Sequence, residues 1–131
     1  MSGTRFAAST GRLSVTASAE GGIRVVSVAG EIDHLTGEVL REALDPSGTA
    51  GVRVVVDMRQ VSFMDSAGIN VFLTAHRSLT RAGGWLRLAA VGPTVIRTLQ
   101  IVGLDTVLGM YETREQALAG QEGLLRPGRG A

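Results

Sequence analysis

The stretch Val52 to Met58 constrains this chain more than any other, because it carries Val54-Val55-Val56 without a polar interruption. Successive side chains of a strand point to opposite faces of a sheet. A run that is apolar at consecutive positions therefore fits a strand buried on both faces, as in the sheets of α/β proteins. Downstream, Ile69, Phe72, Leu73, His76 and Leu79 recur at helical spacing, which predicts a helix over Ser66 to Arg81 ending at Gly83-Gly84.

The neighbouring segments extend the alternation. Leu13 to Ala17 alternates apolar and small polar residues, and Ile23 to Val28 is rich in β-branched ones, with Glu20-Gly21-Gly22 between them as a hairpin turn. Gly30-Glu31-Ile32-Asp33 ends the second strand. Val39, Leu40, Ala43 and Leu44 predict a helix over Thr36 to Leu44, preceded by Leu35 and stopped by Pro46 and Gly48. Arg59 to Asp65 reads as the connection from the valine strand to the helix beginning at Ser66. Trp85 to Ala90 returns as a strand, Gly92-Pro93 opens a helix over Thr94 to Val102, Leu104 to Met110 reads as a short edge strand, and Thr113 to Ala119 as a last helix. The fold class is α/β, a mixed sheet packed with about four α-helices and right-handed crossovers between parallel strands. One domain spans residues 13–119. Residues 1–12 and 120–131, small, polar and rich in Gly, are expected to be flexible ends.

Composition removes much catalytic chemistry. All 13 basic residues are arginine, and the chain has no cysteine and only two histidines, His34 and His76. Without lysine there is no Schiff base and no phosphate-loop lysine, and without cysteine no thiol nucleophile, disulfide or thiolate metal site. A formal charge of +1, with charges spread along the chain, gives no footprint for nucleic acid or an anionic membrane. No apolar run is long enough to span a bilayer and no secretory signal pattern is present, so a cytoplasmic location is expected. No dinucleotide fingerprint or metal-ligand cluster occurs, and no cofactor is expected.

The junction Val61-Ser62-Phe63-Met64-Asp65-Ser66-Ala67-Gly68 is the most informative site. It leaves a buried strand and opens a helix, where backbone N–H groups lack intrahelical partners and favour anions. A phosphate on Ser66 fits such a position, with Asp65 beside it and Gly68 keeping the first turn open. The plainer reading is that Asp65 or Ser66 caps the helix, a role both residue types fill. Asp33 or Thr36 is the corresponding cap candidate for the preceding helix. Asp57, at the end of a buried strand, is either a ligand-facing carboxylate or an acceptor for loop amides. His34 reads as solvated, His76 as partly buried, and Phe72 and Trp85 as core.

Gly30-Glu31-Ile32-Asp33-His34, Val55-Val56-Asp57 and Phe63-Met64-Asp65-Ser66-Ala67-Gly68 together resemble the STAS domain of bacterial anti-sigma-factor antagonists. Gly83-Gly84, Pro93 and Thr98 to Leu104 match in character and order. The resemblance implies the STAS fold and a binding switch rather than an enzyme. It implies that the unphosphorylated protein binds an anti-sigma factor that is also a serine kinase, which frees the sigma factor. Phosphorylation of Ser66 blocks that binding and a protein phosphatase reverses it; ATP and magnesium belong to the kinase. By the same resemblance, Glu31, Asp33, His34, Asp65, Ser66, Ala67 and Gly68 form the partner surface. Ala67 departs from members that carry a second hydroxyl there, and Asn70 is a further departure. Modification of Ser62 or Thr36 is left open. Two rivals stand beside this reading. One is a STAS scaffold that works without phosphorylation; the other is a small hydrolase or nucleotide-binding enzyme using Asp57, Asp65 and His34, which requires a deep pocket joining them.

Overall fold

The computed structural model describes residues 4–9, 11–46 and 48–120. Strands β1 (Thr4–Ser9), β2 (Leu13–Glu20), β3 (Ile23–Ile32), β4 (Arg53–Met64), β5 (Trp85–Ala89) and β6 (Gly109–Tyr111) form one six-stranded sheet in sequential order. β2 pairs antiparallel with both β1 and β3, and β3 to β6 run parallel. The connections after β3 carry α1 (Gly37–Leu44), α2 (Ser66–Arg81) and α3 (Pro93–Ile101), and α4 (Arg114–Ala119) follows β6.

The valine run settles where the layers lie. Val54, Val55 and Val56 are all completely buried. Val54 and Val56 join Leu40, Leu44, Phe72, Leu79, Val95 and Leu99 in the main core beneath α1, α2 and α3. Val55 points the other way, into a smaller cluster with Ile23, Ala89, Tyr111 and Ala117 of α4. Three helices thus cover one face and α4 covers part of the other. Burying a valine side chain contributes roughly 1.5–3 kcal/mol, so this strand anchors both layers.

Three expectations need correction. Residues 1–12 were expected to be loose, yet Thr4–Ser9 is an edge strand paired with β2. Its sequence, Thr4-Arg5-Phe6-Ala7-Ala8-Ser9, shows no apolar alternation; the backbone bonds to one neighbour make the strand. Arg59 to Asp65 is no separate connection, because β4 continues to Met64. Two register shifts against β3, between Ser27 and Ala29 and between Gly30 and Glu31, interrupt the period of two that would have disclosed the strand. Leu104 to Met110 divides into a short 3-10 turn, Leu104–Thr106, and the edge strand β6, which runs on to Tyr111. Of the tail from residue 120, all but Gly120 lies outside the described residues.

Candidate functional site

The parallel pairing of β3 and β4 brings the two sequence motifs to one end of the sheet. Glu31 pairs with Phe63 and Ile32 with Met64, and the Asp65 amide then donates to the Ile32 carbonyl at 3.1 Å. The first turn of α2 sits hard on these strand ends. A Cβ at Gly68 would lie 2.3 Å from Met64 Cγ and 2.9 Å from Ile32 Cγ2, so any larger residue there displaces the Met64 and Ile32 side chains. Gly68 is buried and serves packing.

Asp65 caps α2: its Oδ1 accepts from the Ala67 amide at 2.8 Å, and its carbonyl accepts from Gly68 and Ile69. This settles which of the two adjacent residues is the cap. Ser66, the first residue of the helix, is exposed, and its hydroxyl has no hydrogen-bond partner among the described residues. Of the first-turn donors, the Ser66 N–H alone is left without an acceptor among the described residues.

The loop from Glu31 to Thr36 borders this turn and is internally saturated. Asp33 is buried at 7 % exposure. Its Oδ1 accepts from the Leu35 and Thr36 amides at 2.9 and 3.0 Å, and Oδ2 lies 2.6 Å from the Arg12 guanidinium. Burial by itself raises the Asp33 pKa, but the Leu35 and Thr36 amides, Arg12 and the Thr36 hydroxyl outweigh it and hold the carboxyl below its usual value. Thr36 stands at the N-cap position of α1 without making a side-chain cap. Its hydroxyl is turned into the loop, donating to the Glu31 carbonyl at 2.7 Å and accepting from the Asp33 amide at 2.9 Å. Asp33 therefore organises the loop from within. Glu31 is half-buried and His34 exposed.

Asp57 stands apart from this surface. It lines a cleft of about 410 Å³ with Glu20, Arg59 and Arg114, and neither Asp65 nor His34 lines that cleft. Its Oδ1 accepts from the Arg59 amide at 3.1 Å, and Arg114 lies 3.7 Å from Oδ2. Asp57 thus makes the loop-amide contact, in a cleft that Asp65 and His34 do not share. Ser62 is exposed and donates to the Gly30 carbonyl at 3.3 Å.

Two features escaped the sequence. Arg12 lies in the stretch read as loose, and its partners are 19 or more positions away, so nothing local marks it. Leu35 is 67 % and Phe63 46 % exposed at this end of the sheet. Leu35 had one available signal: it precedes the α1 stripe without belonging to it.

Residues 14–117 match the STAS domain family. The chain is 36 % identical over 90 residues to the anti-sigma-B factor antagonist of Bacillus subtilis, covering 69 % of this chain and 83 % of that one. Its fold superposes on the crystal structure of an anti-sigma factor antagonist from Mycobacterium paratuberculosis with a TM-score of 0.74 and 28 % identity, over 82 % and 92 % of the two chains. It also resembles the Bacillus cell fate determinant SpoIIAA in its phosphorylated form, with a TM-score of 0.63 and 25 % identity, over 81 % and 97 %. A sheet with three helices on one face, a strand–helix junction at Asp65-Ser66 and a domain-long family match agree, and the chain belongs to the STAS domain family.

Proposed function

We propose that this protein is an anti-sigma-factor antagonist switched by phosphorylation of Ser66. The unphosphorylated form binds an anti-sigma factor with serine kinase activity and so releases the sigma factor. Phosphorylation blocks binding, and a protein phosphatase restores it. The reading implies a cytoplasmic protein, where sigma factors act. No helix among the described residues is long and apolar enough to cross a membrane.

The observation that carries this is the exposed, unpartnered Ser66 hydroxyl at the start of α2, left free because Asp65 performs the capping. A kinase can take such a hydroxyl without unravelling the helix. The phosphate would find one free backbone N–H, its own residue's, and no basic side chain in the first turn, with the Asp65 carboxylate beside it. Its charge of nearly two therefore stays at the surface. A partner covering it must strip its water, at a cost of several kcal/mol unless cations replace that water. Blocking needs no rearrangement of the fold. The phosphorylated SpoIIAA relative supports the same chemistry in a chain of this fold.

Glu31, His34, Asp65, Ser66 and Ala67 are the partner-facing residues in this reading, while Asp33 and Gly68 act from within by shaping the loop and the helix start. Incubation with the cognate kinase, ATP and magnesium, followed by intact mass and peptide mapping, is expected to place one phosphate on Ser66. Ser66→Ala should bind the anti-sigma factor constitutively and Ser66→Asp poorly. Equal affinity of the two variants, or phosphate elsewhere with Ser66 unmodified, overturns the mechanism.

A further inference from the structure

We propose that Arg12, in the turn between β1 and β2, is a positioning residue that holds the Glu31–Thr36 loop so that Leu35 stands out as a partner-contacting anchor; this rests on the anti-sigma-factor reading above. The Arg12 guanidinium forks between two carboxylates of the loop, with Nη1 3.1 Å from Glu31 Oε1 and Nη2 2.6 Å from Asp33 Oδ2. Its backbone carbonyl accepts from the Glu31 amide at 2.9 Å, so the residue grips the loop with main chain and side chain together.

The grip passes to Leu35 through Asp33. One oxygen of that carboxylate is pinned by Arg12, and the other receives the Leu35 and Thr36 amides. The Leu35 backbone is thereby fixed while its side chain is 67 % exposed. A leucine held in water contributes little to the fold; covered by a partner, it supplies the kind of desolvated apolar contact on which binding energy concentrates. The same loop meets the Ser66 turn through the bond from the Asp65 amide to the Ile32 carbonyl. Arg12 is itself about half exposed, with 46 % of its side chain accessible, so its removal takes away an orienting fork and little packing. Lysine keeps the charge but not the fork.

The test compares wild type, Arg12→Ala, Arg12→Lys, Leu35→Ala and the double variant Arg12→Ala/Leu35→Ala. The probe is the purified anti-sigma-factor kinase that modifies wild-type Ser66, with Kd read by calorimetry and phosphorylation kinetics read separately. Arg12→Ala is expected to raise Kd and KM about five- to tenfold with kcat unchanged, and Arg12→Lys to fall between it and wild type. The double variant should lose clearly less than the sum of the two single losses, because part of the Arg12 effect passes through Leu35; a merely structural arginine does not give that non-additivity. In parallel, NMR of the free protein should show faster exchange of the Leu35 and Thr36 amides in Arg12→Ala. Wild-type affinity in Arg12→Ala, or losses that simply add in the double variant, overturns the proposal while leaving the switch intact. A wild-type protein that no such kinase binds or modifies overturns the anti-sigma-factor reading itself, and the positioning role with it.

Discussion

Replacing Gly30 by alanine probes the contact on which the proposed partner-facing end of the molecule is built. Gly30 has φ +115, and a Cβ there would sit 2.0 Å from the Arg12 carbonyl oxygen, 3.0 Å from its carbon and 3.2 Å from Leu13 Cα. Holding an L residue in such a backbone region costs about 1–3 kcal/mol. The neighbouring atoms are main chain and cannot rotate away, so the β1–β2 turn must withdraw. Withdrawal breaks the bond from the Glu31 amide to the Arg12 carbonyl, worth about 0.5–1.5 kcal/mol net, and loosens the Arg12 fork. The expected loss is roughly 1.5–4.5 kcal/mol against a total stability of about 5–15 kcal/mol. Gly11 is the matched control: its φ is +85 but nothing lies within 4 Å of a Cβ, so alanine there meets strain alone, about 1–2 kcal/mol. Urea denaturation followed by the fluorescence of Trp85, the single tryptophan, measures both variants. A Gly30→Ala loss no larger than that of Gly11→Ala refutes the close-approach reasoning.

Further perturbations test other parts of the fold. The Arg87 guanidinium lies 3.7 Å over the Trp85 ring and donates to the Ala117 carbonyl at 2.9 Å, fastening α4 to the sheet. Arg87→Ala should cost about 1–3 kcal/mol in thermal melts, with lysine recovering less than half; equal stability of the three proteins refutes the role. The Nδ1 atom of His76 is buried without a partner among the described residues, so His76→Leu is expected to raise stability by about 0.5–1.5 kcal/mol, and a lowered denaturation midpoint counts against it. The Asp33 carboxyl titrates below its ordinary 3.8 in the folded protein. Its contribution is thus fully present above the unfolded value and is lost as pH falls from about 4 through the lower folded value. Asp33→Asn should flatten melting temperature against pH in that window; an unchanged slope, or an NMR titration of Asp33 at or above 3.8, contradicts the sign.

What the sequence disclosed follows the physics of each signal. Val54-Val55-Val56 and the stripe of α2 were legible because burial on a defined face writes a period into the chain. The C-terminal half of β4 was not, since its two bulges against β3 break that period where it would be read. β1 was illegible for another reason: an edge strand without apolar alternation owes its form to one neighbouring backbone, which leaves no side-chain signature. At the site, Asp65-Ser66 announced a helix start, yet the choice between two good caps depends on φ and ψ at one residue. Asp65 is extended and accepts from Ala67, and only coordinates show it. The Arg12 contacts lie beyond any local rule, because their partners are on another strand and its following loop.

The adjacency of Asp65 and Ser66 separates two demands that would conflict in one residue. A helix start needs a side-chain acceptor turned inward to its amides; a modifiable hydroxyl must face outward and give up nothing when it is esterified. Were Ser66 the cap, phosphorylation would replace the capping oxygen and perturb α2, so the switch would cost helix stability each time it was thrown. Asp65 instead accepts from Ala67 at 2.8 Å, so the capping bond does not involve the hydroxyl on which the phosphate is proposed. Gly68 completes the division, since it lets α2 start flush on Ile32 and Met64 and so brings the free hydroxyl to the same end of the sheet as the loop that Arg12 holds. On the proposed reading, phosphorylation changes the charge of this surface while the Asp65 cap and the packing of Gly68 on Ile32 and Met64 stay in place.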